Sequence, residues 1–173
     1  MKVFGFAGWS GSGKTTLIEQ LIPRFVMSGQ RVSLIKHAHH LFDIDKPGKD
    51  SYRHREAGAS EVLITSDQRW VLMHELRDED EPSLHEQLGR FSPCDIVLVE
   101  GYKRAAIPKM EVYRPMLGKA PLFPDDPNIV AVATDAPVGT ALPRLDLNDP
   151  DAIAEFILGY LEGAHGTRIA AVR

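Results

Sequence analysis

The sequence predicts an α/β fold, a three-layer sandwich around a mostly parallel sheet with an antiparallel hairpin as an extension. Three observations predict it. An apolar run over residues 2–7 breaks into glycines, an amphipathic segment follows from Thr15 to Met27, and a β-rich run occupies Arg31 to Lys36. Strand, helix and strand at that spacing form a βαβ unit, which builds parallel sheets. Asp95-Ile96-Val97-Leu98-Val99-Glu100-Gly101 then holds four consecutive apolar residues, three of them β-branched, as a strand covered on both faces requires. Finally, two β-rich runs flank only Ser66-Asp67-Gln68. A parallel return needs a longer crossover, so these runs pair antiparallel.

Each element follows from its own residues. Residues 2–7 read as a buried strand. Leu17, Ile18, Leu21, Ile22 and Phe25 recur at helical spacing, so Thr15 to Met27 is a helix with one face on the sheet. Pro23 removes a backbone donor and is expected to bend or loosen it, and Ser28-Gly29 ends it. His37 to Lys49 is polar and without period, an expected exposed loop. Asp50 to Ala57 predicts a short helix capped by Asp50 or Ser51 and ended by Gly58. Glu61 to Thr65 and Arg69 to His74 are the hairpin strands, and the charge run 75–81 is a solvated surface. Pro82 to Leu88 predicts a helix with Leu84 and Leu88 on one side. Lys109 to Tyr113 alternates as a strand does, whereas Leu117 to Asn128, rich in proline, glycine and aspartate, should be irregular. Ile129 to Thr134 is a further buried strand. Asp149-Pro150 opens a last helix whose apolar face carries Ile153, Phe156, Ile157, Tyr160 and Leu161.

At 173 residues with 43% hydrophobic content, the chain suits a single domain with a sizeable core. The expected organisation is one nucleotide-binding domain over residues 1–163 and a flexible tail over 164–173. Twenty basic against 24 acidic residues give a formal charge of −4. That balance lacks the broad positive field of a nucleic-acid binder, so no nucleic acid is expected as a partner. The single cysteine, Cys94, excludes an internal disulfide framework and a multi-cysteine metal centre. The N-terminal apolar stretch is too short for a signal peptide's core, and no run approaches a membrane span. A soluble protein of a reducing compartment, with no membrane partner, is expected.

The segment Gly8-Trp9-Ser10-Gly11-Ser12-Gly13-Lys14-Thr15-Thr16 matches G-x-x-x-x-G-K-[ST] in full. Gly8, Gly11 and Gly13 let the backbone turn tightly and approach phosphates with no Cβ in the way. Backbone N–H groups then converge on the anion, and the following helix adds its positive end. Lys14 is placed to reach the β and γ phosphates, and the Thr15 hydroxyl to bind the Mg²⁺ that bridges them. The motif follows a predicted strand and opens a predicted helix, as its mechanism demands. These residues predict a nucleoside triphosphate site with Mg²⁺, in a P-loop NTPase-like sandwich.

In open α/β sheets ligands lie beyond the carboxyl ends of the strands, where Glu100 and Asp135 both sit. Glu100 occupies a Walker-B-like position, placed to hold a Mg²⁺-bound water or polarise an attacking one; the alternative is an ordinary strand-end carboxylate. Asp135 is a candidate to accept both donors of a guanine's N1–N2 edge. The usual Asn-Lys-x-Asp motif is absent, and a capping role is the other reading. His37, His39 and His40 with Asp43 and Asp45 offer nitrogen and oxygen ligands, but without the i, i+4 helical spacing of a zinc pattern. The competing reading is a loop beside the triphosphate, with Lys36, Arg53 and Arg55 neutralising charge and Asp43 or Asp45 meeting Mg²⁺ through water. No residue presents itself as a general base, and no arginine as a finger in cis, so hydrolysis should be slow without a partner. Two classes fit these residues: a nucleotide-dependent adapter, and a small-molecule kinase that binds ATP in the same loop.

A wider set of segments narrows the choice. Val3 to Thr16, then Ile35-Lys36-His37, Asp45-Lys46-Pro47-Gly48-Lys49-Asp50-Ser51, Arg53-His54 with Ala57-Gly58-Ala59, and Val99-Glu100-Gly101-Tyr102-Lys103 together resemble the bacterial molybdopterin-guanine dinucleotide biosynthesis adapter family, MobB. The resemblance spans roughly residues 2–135. It implies a cytoplasmic, GTP-binding homodimer with weak GTPase activity. Such a protein assists the guanylyltransferase that joins GMP to molybdenum-loaded molybdopterin, supplying nucleotide or helping to present the cofactor. Carried over by residue, it implies Gly8 to Thr16 as the phosphate loop, Glu100 as the Walker-B-like carboxylate, and Asp45 in an acidic loop segment on the metal side.

Overall fold

In the computed structural model, which describes residues 1–38 and 42–163, the chain divides into two compact units. The first is built from Met1–His37 and the chain from Leu84 onward, the second from Ala38–Ser83.

The larger unit grows around β1 (Lys2–Ala7), whose residues alternate between two apolar layers. It holds α1 (Lys14–Met27) and β2 (Val32–Lys36) and, after the second unit, α3 (Leu84–Gly89), β5 (Ile96–Glu100), β6 (Lys109–Tyr113), β7 (Ile129–Thr134), β8 (Arg144–Asp146) and α4 (Pro150–Glu162). The six strands form one sheet in the order β2-β5-β1-β6-β7-β8, every neighbouring pair parallel. Phe4, Phe6, Ile96, Leu98, Met110 and Val112 point to one face, where they meet Leu17, Ile18, Leu21 and Phe25 of α1 and Ile153, Ile157 and Leu161 of α4. Val3, Val97 and Val99 point to the other and pack with Leu88 of α3 and Ile107. Burial of each such side chain stabilises the fold by about 1.5–3 kcal/mol. Helices on both faces make the three layers that the sequence predicts.

α1 runs through Pro23 to Met27. Its four buried apolar side chains hold it on the sheet despite the missing donor. α4 opens as expected, with Asp149 accepting from the Ala152 N–H at 3.0 Å and Pro150 in the first turn.

β6 alternates as predicted, but its charged face is buried. Lys109 is enclosed with bonds to the carbonyls of Lys103 and Ala105 and to Asp126 at 2.8 Å. Glu111 accepts from the backbone N–H groups of Leu122 and Phe123. The two side chains thereby pin the irregular 114–128 crossover onto the sheet. Burial pushes the Glu111 carboxyl above its ordinary value, against the pull of those two N–H groups. For Asp126 burial acts in the same direction, but bonds from Lys109 and Asn128 prevail and hold its carboxyl below the usual range.

In the second unit, α2 (Asp50–Glu56) precedes the antiparallel pair β3 (Glu61–Thr65) and β4 (Trp70–His74), in the register Glu61↔His74 to Thr65↔Trp70. The expected cap of α2 is corrected. Lys49 is the cap residue and gives no side-chain bond, because the Ser51 hydroxyl is drawn to Asp45 at 2.9 Å. Arg55 gathers Asp43, Asp45 and Glu75 around one guanidinium, and the bonds with Glu75 and Asp43 raise its pKa further. Leu63, Trp70 and Leu72 share one face of the hairpin and are 60%, 66% and 44% exposed. His39, His40 and the segment 164–173 lie outside the described residues, as do the expectations placed on them.

Candidate phosphate-binding site

The C-terminal ends of β1, β5, β6 and β7 deliver Gly8, Glu100, Arg114 and Asp135 to one edge of the parallel sheet. Gly8 must be glycine here. Its φ is +142°, and a Cβ would stand 2.5 Å from the Val112 carbonyl oxygen and 2.8 Å from Ser12 Oγ. The loop closes with the Ser12 N–H donating to the Trp9 carbonyl at 3.2 Å. Gly13, at φ +98°, caps α1 with no side chain, and the first turn of the helix carries no acidic residue. The first-turn N–H groups therefore present the positive end of α1 to an anion.

Lys14 folds back over this loop, its Nζ donating to the carbonyls of Gly8 at 3.1 Å and Trp9 at 2.9 Å. Burial lowers its pKa below 10.5, opposed by the Glu100 carboxylate, while Lys103 and Lys36 add to the lowering. The Thr15 hydroxyl donates to Glu100 Oε1 at 2.6 Å, and Lys36 Nζ stands 3.5 Å from Oε2 of the same carboxylate. Glu100 is thus buried at the site, beside the hydroxyl with which the sequence groups it. Gly101 follows at φ +97°, where a Cβ would meet His37 Cβ at 2.9 Å. His37 packs against Tyr102 with ring centroids 4.7 Å apart, so its place is in the wall of the site. Trp9 is fixed through Nε1 on the Ala120 carbonyl at 2.8 Å, with Lys103 Nζ 4.4 Å from its ring centroid.

A hydroxyl and a carboxylate side by side are the hard oxygen donors that Mg²⁺ takes, and that ion fills its remaining positions with water and phosphate oxygens. The pair Thr15–Glu100 fits such an ion. Among the described residues no group of three or more His, Cys, Asp or Glu is placed to hold a metal by itself. Asp45, expected on the metal side, belongs to the second unit, where it accepts from Ser51, the Lys46 N–H and Arg55. Arg53 and Arg55 belong there too. Asp135 stands at its strand end but is ion-paired with Arg114.

Arg114 is the residue that sequence reasoning missed. Its Nε donates to the Ser12 carbonyl at 3.0 Å and its Nη1 meets Asp135, tying two strand ends to the phosphate loop. The rule that drew attention to Glu100 and Asp135, a charged residue just past a strand, also applies to Arg114 after β6.

Comparison with known proteins identifies a family. Residues 3–135 match the family model described as MobB, molybdopterin guanine dinucleotide synthesis protein B. The molybdopterin-guanine dinucleotide biosynthesis adapter protein of Escherichia coli (strain K12) is 42% identical over 167 residues, covering 95% of each chain. That of Haemophilus influenzae is 44% identical over 167 residues, covering 96% of this chain and 93% of its own. Among solved structures, the crystal structure of a MobB protein homolog from Bacillus stearothermophilus superposes with a TM-score of 0.69 at 26% identity, covering 93% of this chain and 98% of that one.

Proposed function

The chain belongs to the MobB family, and from that membership we propose that it is a GTP-binding adapter of molybdenum-cofactor biosynthesis. It assists the guanylyltransferase step that converts the molybdopterin cofactor to its guanine dinucleotide form, and it hydrolyses GTP slowly with Mg²⁺. The observation that carries the nucleotide part is the convergence of Lys14, Thr15 and Glu100 on the glycine loop between β1 and α1.

The chain's own groups divide the work. First-turn N–H groups of α1 and the loop amides hold phosphate oxygens, and the Lys14 ammonium exchanges its two carbonyl partners for the β and γ phosphates. Thr15 and Glu100 hold Mg²⁺, which supplies charge that offsets the triphosphate. Guanine preference rests on the family and on Asp135, whose Oδ2 is engaged by Arg114. The adapter acts as a homodimer in the cytoplasm; among the described residues no helix is long and apolar enough to cross a membrane. The exposed apolar face of Leu63, Trp70 and Leu72 supports the dimer, because an isolated two-stranded sheet is marginal until that face is covered.

One experiment tests the core of this reading. GTP and ATP are titrated with Mg²⁺ against the protein and against Lys14→Ala and Asp135→Asn, and phosphate release is followed in the same samples. GTP should bind more tightly than ATP, with that preference reduced in Asp135→Asn. Lys14→Ala should lose both nucleotides while keeping its circular dichroism, and turnover should stay below about 1 s⁻¹. Retained affinity in folded Lys14→Ala would defeat the site, and acceptor-stimulated turnover with ATP would favour a small-molecule kinase.

A further inference from the structure

A small open pocket of about 160 Å³ adjoins the phosphate loop, lined by Gly13, Thr16, Gln20, Arg114, Leu147 and Asn148 among others. Gly13 and Thr16 flank Lys14, assigned to the phosphates, and Thr15, assigned to Mg²⁺, so the pocket lies within reach of a group attached to a bound phosphate chain. Its volume suits one flat ring system; drug-sized ligands occupy about 300–1,000 Å³. Its walls have the matching character. Leu17 and Leu147, core residues 2% and 6% exposed, lie beneath it as an apolar floor. Arg114 supplies a flat guanidinium whose plane is fixed by the Ser12 carbonyl and Asp135, and such a plane stacks on aromatic rings.

Asn148 supplies the polar edge. Its backbone N–H and its Nδ2 both donate to Asp146 Oδ1, at 2.8 and 3.1 Å. A carboxylate can only accept, so the amide is oriented with its NH₂ toward Asp146, and its carbonyl Oδ1 is left as an acceptor. An acceptor complements the N–H groups that a purine presents.

We propose that the purine base of the nucleotide lies in this pocket between Arg114 and Asn148, and that the Asn148 carbonyl is a base-reading acceptor alongside Asp135. The proposal rests on the nucleotide reading above and extends it to the base. Asn148 stands on the turn between β8 and α4, so base recognition is shared by two strand ends rather than one. Arg114 is the positioning residue that links the base side, at Asp135, to the phosphate side, at Ser12.

The test uses three probes with Mg²⁺ in calorimetry: GTP, inosine triphosphate, which lacks the exocyclic amino group, and inorganic tripolyphosphate, which lacks a base. The proteins are the unaltered chain, Asn148→Ala, and Gln20→Phe, which fills the pocket. Asn148→Ala should weaken GTP by about three- to tenfold, the worth of one hydrogen bond, and leave tripolyphosphate unchanged. Gln20→Phe should weaken both nucleotides and leave tripolyphosphate unchanged. GTP affinity unaltered in both variants overturns the pocket, and so does an equal loss of GTP and tripolyphosphate. An unaltered chain that binds tripolyphosphate as tightly as GTP overturns the base site alone. One that binds neither overturns the nucleotide reading itself.

Discussion

At the scale of single residues, the site turns on groups whose neighbours change their chemistry. Lys14 is held over the loop by two carbonyls and half-buried, and burial depresses its pKa below 10.5. A bound polyanion favours the ammonium, so binding raises that pKa. Affinity is therefore fully present below the depressed value of the free protein and is lost as pH rises through it. Tripolyphosphate, which has no base to titrate, should bind progressively less well before pH reaches 10.5, while Lys14→Arg should hold its affinity over the same window. A flat profile for the unaltered protein in calorimetric titrations would contradict the role of Lys14. The glycine-lysine-threonine string was legible from sequence because each position has a separate chemical reason. Arg114 was not singled out, since one arginine after a short strand has no such signature. Only the approach of β6 to β1 puts its guanidinium on Ser12.

At the scale of elements, alternation over Lys109 to Tyr113 was enough to predict β6 as a strand but not what covers its charged face. The 114–128 crossover lies over that face and takes both charges as anchors. The pH consequence follows from the raised Glu111 pKa. The stability it contributes is fully present below its ordinary value of 4.5 and is lost as pH rises through its higher value in the folded protein. Urea unfolding at a series of pH values from 4.5 upward should show that decline in the unaltered protein and a flatter curve in Glu111→Gln. Matching slopes would show that the carboxyl is solvated. β8 was not predicted because its three residues, Arg144, Leu145 and Asp146, have too little pattern of their own; pairing with β7 makes them a strand. The cap of α2 was misread because Ser51 has a better partner in Asp45 than the helix end.

At the scale of the whole molecule, the chain forms two units of unequal size, and the smaller leaves a large apolar hairpin face uncovered. In the proposed homodimer, twofold pairing would set this patch against its own copy, so a single substitution would act twice at the interface. Trp70→Glu should shift sedimentation equilibrium from dimer toward monomer with the circular dichroism of the fold retained. A chain that is already monomeric at tens of micromolar, or a variant as dimeric as its parent, would remove the hairpin from the assembly.

The sequence by itself determined the layered α/β plan, the glycine-lysine-threonine loop between β1 and α1, and the partnership of Thr15 with a strand-end carboxylate. Hydrophobic period, glycine placement and the chemistry of a triphosphate are local properties that a linear string records. Tertiary structure alone decided the strand order β2-β5-β1-β6-β7-β8, the burial of Lys109 and Glu111, and the contact of Arg114 with Asp135 and Ser12. Those depend on which strands become neighbours. That choice is made by packing across long stretches of chain, and no short window of residues contains it.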